Sequence, residues 1–193
     1  MTLVSLSEIE RFEERLSDAV QTADSRALDV IGYGEVTLAV KLATAHGDFA
    51  CKRLVPFSSG EAAGRAASLI ATYVDELQAC GIDVVETETP ILARPEGHVL
   101  YCVQPLLAPG ALGPEFLRGK SADEAAPFVQ GIFEHIRDSV SPRLAPDGQL
   151  SNGAFEGDRL RYLAVGTPLL RSADGEEMFD YTTQTRALPA PVR

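Results

Sequence analysis

The sequence has few of the residues that metal sites, disulfide frameworks and hydrolase centres need. Its three cysteines, Cys51, Cys80 and Cys102, cannot all pair, have no metal-ligand spacing and lie in largely apolar segments. They are therefore expected to be buried thiols of a cytoplasmic protein. The three histidines are scattered, none has a second ligand four residues away, and no G-x-S-x-G motif occurs. Zinc-hydrolase and serine-hydrolase chemistry are disfavoured.

Basic residues and long apolar runs are also scarce. The chain has 17 Lys and Arg against 28 Asp and Glu, a net charge of -11. So acidic a protein gains nothing from counterion release on nucleic acid or from attraction to an anionic membrane. No apolar run approaches 18 residues, and the N-terminus has no basic region followed by an apolar core. Neither export nor membrane insertion is indicated, and nucleic acid and membrane are excluded as expected partners.

The composition that remains is that of an ordinary globular protein. The 193 residues are 45% hydrophobic and 23% charged, which is enough for one domain or two small lobes. Residues 5–20 place apolar side chains at helical spacing, and Ser5 with Glu8 forms an S-x-x-E capping signal. An amphipathic N-terminal helix is predicted there.

Two further helices are predicted. Residues 61–80 are alanine-rich, follow a cap formed by Ser58 with Glu61, and stop before Gly81, a favoured residue just past a helix. Residues 121–139 place apolar side chains on one broad face.

A glycine-containing stretch at residues 29–54 is predicted to form two β-strands joined by a short turn, with the second strand at 48–54. Gly32 and Gly34 interrupt an apolar, β-branched run, where glycine weakens a strand unless a backbone must approach something closely. The second strand ends in A-C-K-R-L, which places Lys52 among apolar neighbours. An ordinary bulge and a partly exposed strand lysine are the alternative interpretations.

Two strand-like segments, at residues 82–93 and 98–107, are separated by the turn sequence R-P-E-G. The second segment ends at A-P-G. Locally it fits an edge strand that ends at a proline as well as it fits a strand that leads into a hinge.

Asp147 and Asn152 stand five residues apart, before a short strand, a turn at 156–158 and a strand at 159–165. A turn role for Asp147 stays open, because Pro-Asp-Gly is itself a strong turn signal.

Taken in order, these elements resemble the protein-kinase-like superfamily, which includes protein kinases and aminoglycoside phosphotransferases. The resemblance covers about residues 29–168. It implies an α+β fold with an N-terminal helix at 1–22, a β-rich N-terminal lobe at 23–107 and a truncated, reduced helical C-terminal lobe at 108–193.

The resemblance also implies a nucleotide site. Gly32 and Gly34 would cover the phosphates of ATP, and Lys52 would contact the α and β phosphates. Backbone groups of Gln104 and Leu106 would bind the adenine ring.

In the same way, Asp147 would be the catalytic base and Asn152 a ligand of Mg²⁺. The chain departs from the family pattern at three positions. The metal-loop carboxylate is replaced by Ala164, whose methyl group cannot ligate a hard cation. Ala145 stands at the H-x-D histidine, and Thr37 at the third glycine.

A further departure is that no Asp or Glu lies between residues 62 and 74, where an ion-pair partner of Lys52 is expected. These departures favour a pseudokinase-type module that holds a nucleotide, peptide or partner enzyme without transferring phosphate. The alternative is an ATP-dependent phosphotransferase acting on a small-molecule or peptide hydroxyl, or an inactivated variant of one. A reduced second lobe leaves the apolar face of 121–139 with few partners, so a homodimer or a heteromer is expected.

Overall fold

A computed structural model describes residues 2–22, 24, 26, 28–33, 38–157 and 159–184. The chain forms two compact units. The first comprises Met1–Ala67, Glu86–Leu106 and Tyr181–Arg193, and the second comprises Ser68–Val85 and Leu107–Asp180. The lobe boundaries predicted from the sequence stay a prediction.

The first unit contains a five-stranded sheet with the strand order β1-β2-β3-β5-β4, in which every neighbouring pair is antiparallel. The strands are β1 (Val30–Tyr33), β2 (Leu38–Thr44), β3 (Gly47–Arg53), β4 (Ile91–Arg94) and β5 (Gly97–Pro105). Three strands therefore lie in the stretch predicted to contain two. The prediction is wrong because residues before and after position 34 pair with each other as β1 and β2 instead of continuing as one strand.

The other predicted strand segment, at 82–93, is regular only at its end, where β4 begins at Ile91. Earlier in this segment the structure has isolated bridges at Val84 and Glu88. Pro90 precedes β4 and has no N–H to donate, so a continuous ladder cannot pass through it.

Helix α1 (Leu6–Thr22) confirms the predicted N-terminal helix. Its first turn has a capping box, because Ser5 Oγ accepts from Glu8 N–H at 3.3 Å and the Glu8 carboxylate accepts from Ser5 N–H at 2.8 Å. Leu6, the first apolar residue of the segment predicted to be amphipathic, is however 60% exposed. The buried face packs with the sheet in one core: Ile9, Phe12, Leu16, Val40, Leu42, Phe49, Cys51, Val99, Tyr101 and Val103.

Successive side chains of β3 lie on opposite faces of the sheet. Phe49 and Cys51 belong to the core that includes α1, and Arg53 shares their face of the strand. Ala50 and Lys52 consequently point to the opposite face of the sheet.

Helix α2 (Gly60–Ala79) begins one residue before its predicted start at 61, and its cap lies one residue later than predicted. Ser59, and not Ser58, accepts from the Ala62 N–H through its Oγ at 3.1 Å. After the helix, Gly81 has a φ of +85°, the left-handed conformation in which glycine is favoured.

The second unit contains α3 (Gly113–Phe116), α4 (Ala122–Ser139), a short 3-10 helix (Leu150–Asn152), and an antiparallel hairpin of β6 (Gly153–Glu156) and β7 (Arg159–Tyr162). A further short helix, α5 (Tyr181–Gln184), belongs to the first unit. Helix α4 begins with a capping box formed by Ser121 and Glu124. Among the described parts of the chain, no helix has both the length and the apolar composition that a membrane span requires.

An aromatic cluster connects α3, α4 and the hairpin. The ring centroids of Phe116 and Phe155 are 4.6 Å apart, and those of Phe116 and Phe128 are 4.7 Å apart. Within α4, however, only Ser139 is buried. The helix is attached at this cluster while much of its apolar surface is partly exposed.

Candidate functional site

Two of the residues predicted to bind a nucleotide lie in one row across the sheet of the first unit. Strand pairing places Gly32 opposite Ala39, Ala39 opposite Lys52, and Lys52 opposite Cys102. A Cβ atom on Gly32 would lie 3.7 Å from Ala39 Cβ, so both positions share a face. Gly32 and Lys52 are therefore separated by one strand with a small side chain.

A second row on the same face is formed by Lys41, Ala50 and Gln104. The Lys41 ammonium is paired with Asp48 at 2.6 Å. Positions 39 and 50 on this face are alanines. Among the described residues, the face thus combines small side chains with one lysine that has no such pair.

Lys52 is largely removed from water, and this burial lowers the pKa of its ammonium group, while Cys102 acts weakly in the opposite direction. Among the residues that the structure describes, no carboxylate forms an ion pair with Lys52. An ammonium group in this situation has lost hydration without gaining a counterion. An anionic ligand would therefore gain more at Lys52 than at the paired Lys41.

Gln104 and Leu106, the residues predicted to contact adenine, already form hydrogen bonds within the first unit. The Gln104 backbone lies within β5, and its buried side chain donates from Nε2 to Thr87 Oγ1 at 2.9 Å. The N–H of Leu106 donates to the Asp48 carbonyl at 2.9 Å. Adenine recognition through that N–H would have to displace a bond of the sheet. Gly34 and Thr37 lie outside the described residues.

Asp147 lies in the second unit at the Pro-Asp-Gly turn. Its N–H donates to Tyr162 Oη at 2.8 Å, and its carboxylate accepts from the Gln149 N–H at 3.2 Å. The second bond is the side-chain-to-backbone contact of an Asx turn. It uses one acceptor site of a carboxylate that has about four, so the turn role and the base role are compatible.

Asn152 is oriented by Asp147. Its Nδ2 donates to the Asp147 carbonyl oxygen at 3.4 Å, and its own carbonyl accepts from the Leu163 N–H at 2.9 Å. The first bond leaves Asn152 Oδ1 as the atom able to ligate a cation. The second bond brings the segment of Ala164 beside Asn152.

These donors fit Mg²⁺ poorly. Asn152 offers one neutral oxygen, Asp147 already accepts a backbone bond, and Ala164 offers no oxygen from its side chain. Within the described ranges, no group of three or more His, Cys, Asp or Glu side chains could hold a metal ion. Mg²⁺ sites usually combine one or two carboxylates with substrate phosphates.

Two buried tyrosines that sequence reasoning did not single out hold the Asp147 turn. Tyr73 Oη donates to the Ala145 carbonyl at 2.8 Å and lies 3.4 Å from Tyr162 Oη, which accepts the Asp147 N–H. Burial raises the pKa of Tyr73 above its ordinary value, so its phenol stays a donor. The clue in the sequence was a tyrosine on the apolar face of a predicted helix, since a buried tyrosine hydroxyl needs a partner.

A cavity of about 30 Å³ lies beside this turn, lined mainly by apolar side chains. Ile82, Ile132, Ile136 and Leu160 contribute the apolar wall, and Asp147 lies at its edge. This volume has room for about two water molecules, which is far less than a nucleotide needs.

The first unit contains a buried carboxylate that sequence reasoning also missed. Glu13 of α1 is 1% exposed. It accepts from Arg53 at 2.9, 3.0 and 3.2 Å, from Ser17 at 3.1 Å, and from the Tyr101 hydroxyl. Burial raises the pKa of Glu13, but the hydrogen bonds from Arg53 and Tyr101 outweigh it and hold the pKa below its usual value.

The chain belongs to the family described as "Family of unknown function (DUF6206)", whose pattern it matches over residues 11–188. No curated protein matches the sequence. A solved structure, described as WaaP in complex with acyl carrier protein, is similar with a TM-score of 0.50 and 15% sequence identity. The alignment covers 89% of this chain and 73% of that chain. At this identity the similarity concerns the fold alone, and it supports an α+β, kinase-like fold.

Proposed function

We propose that this chain is a kinase-like module that binds a nucleotide, of the pseudokinase type that lacks the metal-loop carboxylate. The observation that carries the proposal is Lys52, a largely buried ammonium group without an ion pair among the described residues. It shares a row of the sheet with Gly32. Phosphate oxygens are suitable counterions for such a group, because a charge-assisted hydrogen bond is about twice as strong as a neutral one.

The small side chains beside Lys52 support an aromatic ring as the second part of the ligand. Ala39 and Ala50 lie on the same face as Lys52, so the positions beside the lysine carry small side chains. A nucleoside phosphate combines a flat base with an anionic group, which is the pairing that this face offers.

Mg²⁺ contributes little to this binding in our proposal. Asn152 Oδ1 is the amide oxygen left for a cation, and Ala164 replaces the carboxylate that would compensate for lost hydration. Nucleotide affinity is therefore expected to be similar with and without the metal.

Phosphate transfer is the second candidate function. The bond from Asn152 Nδ2 to the Asp147 carbonyl, and the bond from the Asp147 N–H to Tyr162, favour it because they hold the Asp147 turn in one conformation. In that function Asp147 is the base toward a small-molecule or peptide hydroxyl.

The test is a titration with ATP, ADP and adenosine, with and without Mg²⁺, read by thermal shift. Lys52→Ala is expected to weaken ATP binding by about tenfold or more and to leave adenosine binding unchanged, since only the phosphates lose a partner. Lys41→Ala is the matched control, because Lys41 lies on the same face but already has Asp48 as a partner. Equal ATP affinity of the Lys52→Ala variant and the unaltered protein would remove Lys52 from the site.

A protein partner belongs to the same proposal. WaaP was solved in complex with acyl carrier protein, and in this chain α4 leaves Phe133 63% exposed. Either a second copy or a different protein would cover that surface.

A further inference from the structure

Glu13 is an unusual residue to bury, because a carboxylate loses much hydration in an apolar core. The surrounding contacts compensate for this loss. Arg53 of β3 makes three short contacts with it, and Tyr101 of β5 adds a hydroxyl donor. The network extends to Glu96, which accepts from Arg53 Nη2 at 3.3 Å. Helix α1 is thereby bonded to two adjacent strands of the sheet.

Strand β3, which carries Arg53, also carries Lys52. Arg53 follows Lys52 directly, and the pleat directs the two side chains to opposite faces. A bidentate contact between a guanidinium and a carboxylate fixes direction as well as distance. Because the two residues share a peptide unit, a rotation of β3 that breaks the Arg53 contact also moves the Lys52 ammonium group.

Among the described residues, the face of the sheet that carries Lys52 has no buried carboxylate like Glu13. Among the residues that the structure describes, no carboxylate pairs with Lys52, and α2 has no acidic residue between positions 62 and 74. Among the described strand residues, the other charged or titratable groups on this face are Lys41 with its partner Asp48, His98 and the Cys102 thiol. The strand is therefore fixed from the α1 side.

We propose that Glu13 is a positioning residue for Lys52: acting through Arg53, it holds β3 so that the Lys52 ammonium is presented on the face that receives the anionic part of the ligand. The proposal rests on the proposed nucleotide function. It assigns to an N-terminal helix a function that an acid on α2 would otherwise supply.

The test compares Glu13→Gln with Glu14→Gln, an exposed neighbour on the same helix. Two properties are measured in the full-length protein. The first is the ratio of ATP to adenosine affinity. The second is the pH midpoint of acetylation of Lys52 by an amine-reactive reagent, measured by peptide mass spectrometry, which needs no nucleotide.

In the Glu13→Gln variant we expect the affinity ratio to fall by about tenfold, the loss of one charge-assisted bond. We also expect the labelling midpoint of Lys52 to move upward, because displacement of β3 would return its ammonium group to water; the loss of the Glu13 charge without displacement would instead move the midpoint downward. The Glu14→Gln variant should match the unaltered protein in both measurements.

A Glu13→Gln variant that is less stable but unchanged in both measurements would overturn the proposal and make Glu13 a structural residue only. If that variant does not fold, Tyr101→Phe decides the question, because it removes one hydrogen bond from Glu13 and leaves Arg53 in place. Its Lys52 midpoint should move in the same direction by a smaller amount, and an unchanged midpoint would reject the proposal. If the unaltered protein binds no ATP, the proposed function fails, while the labelling midpoint still decides the positioning role.

Discussion

Glu13 is buried and Lys52 is partly buried, and only Glu13 has a charged partner among the described residues. Glu13 is saturated by Arg53, Tyr101 and Ser17, so it has no capacity for a ligand. Lys52 has lost water and has no ion pair among the described residues. Buried charges without partners are candidates for functional sites, because a ligand can supply the missing partner.

At position 164, a single residue separates the two candidate functions. Ala164→Asp should introduce a Mg²⁺ dependence of nucleotide affinity, because a carboxylate beside the Asn152 amide gives the cation a charged ligand. Thermal-shift titrations with and without Mg²⁺ measure this dependence, and Ala164→Asn is the uncharged control. A Mg²⁺-dependent ATPase in the unaltered protein that Asp147→Asn abolishes would instead establish the transferase.

Helix ends were predictable at the element scale because their signals are local. The capping box predicted at Ser5 lies within four residues and appears in the structure, whereas the cap predicted at Ser58 is supplied by the neighbouring Ser59. The tertiary bonds were not predictable, since they join distant positions: Glu13 and Arg53 are 40 residues apart, and Glu13 and Tyr101 are 88 apart. A pattern of residue types along one segment contains no information on which distant partner it meets.

The junction of α1 with the sheet should give the protein a pH-dependent stability. The pKa of Glu13 is lowered on folding, so its contribution is fully present above the unfolded pKa, near 4.5, and is lost as the pH falls through the folded value. Glu13→Gln should reduce the free energy of unfolding at neutral pH by up to about 3 kcal/mol. The free energy of unfolding of this variant should also decrease less steeply than that of the unaltered protein as the pH falls below 4.5. Urea unfolding at a series of pH values measures both effects, with Glu14→Gln as control. An equally steep decline in the Glu13→Gln variant would show that other carboxylates cause it.

For the whole molecule, the order of elements was the most informative property of the sequence. The resemblance rested on a glycine-containing hairpin, a lysine, a helix and an Asp-Asn pair in succession, and the fold similarity to WaaP supports the kinase-like fold. The candidate site was harder to predict from the sequence. Asp147 was ambiguous because a turn and a catalytic loop use the same residue, and only the bonds to Tyr162 and Asn152 indicate how the turn is held.

The exposed surface of α4 leads to a prediction about assembly. Phe133 is 63% exposed on a helix in which only Ser139 is buried, and exposed apolar patches are common at protein interfaces. We expect the protein to self-associate at micromolar concentration, and Phe133→Ser to shift it toward the monomer. Because each chain carries a net charge of -11, salt should strengthen the association by screening repulsion. Light scattering at low and high salt measures the mass, with Leu6→Ser, another exposed apolar residue, as the control. A monomer under both conditions would reject self-association and leave a heteromeric partner as the occupant of this surface.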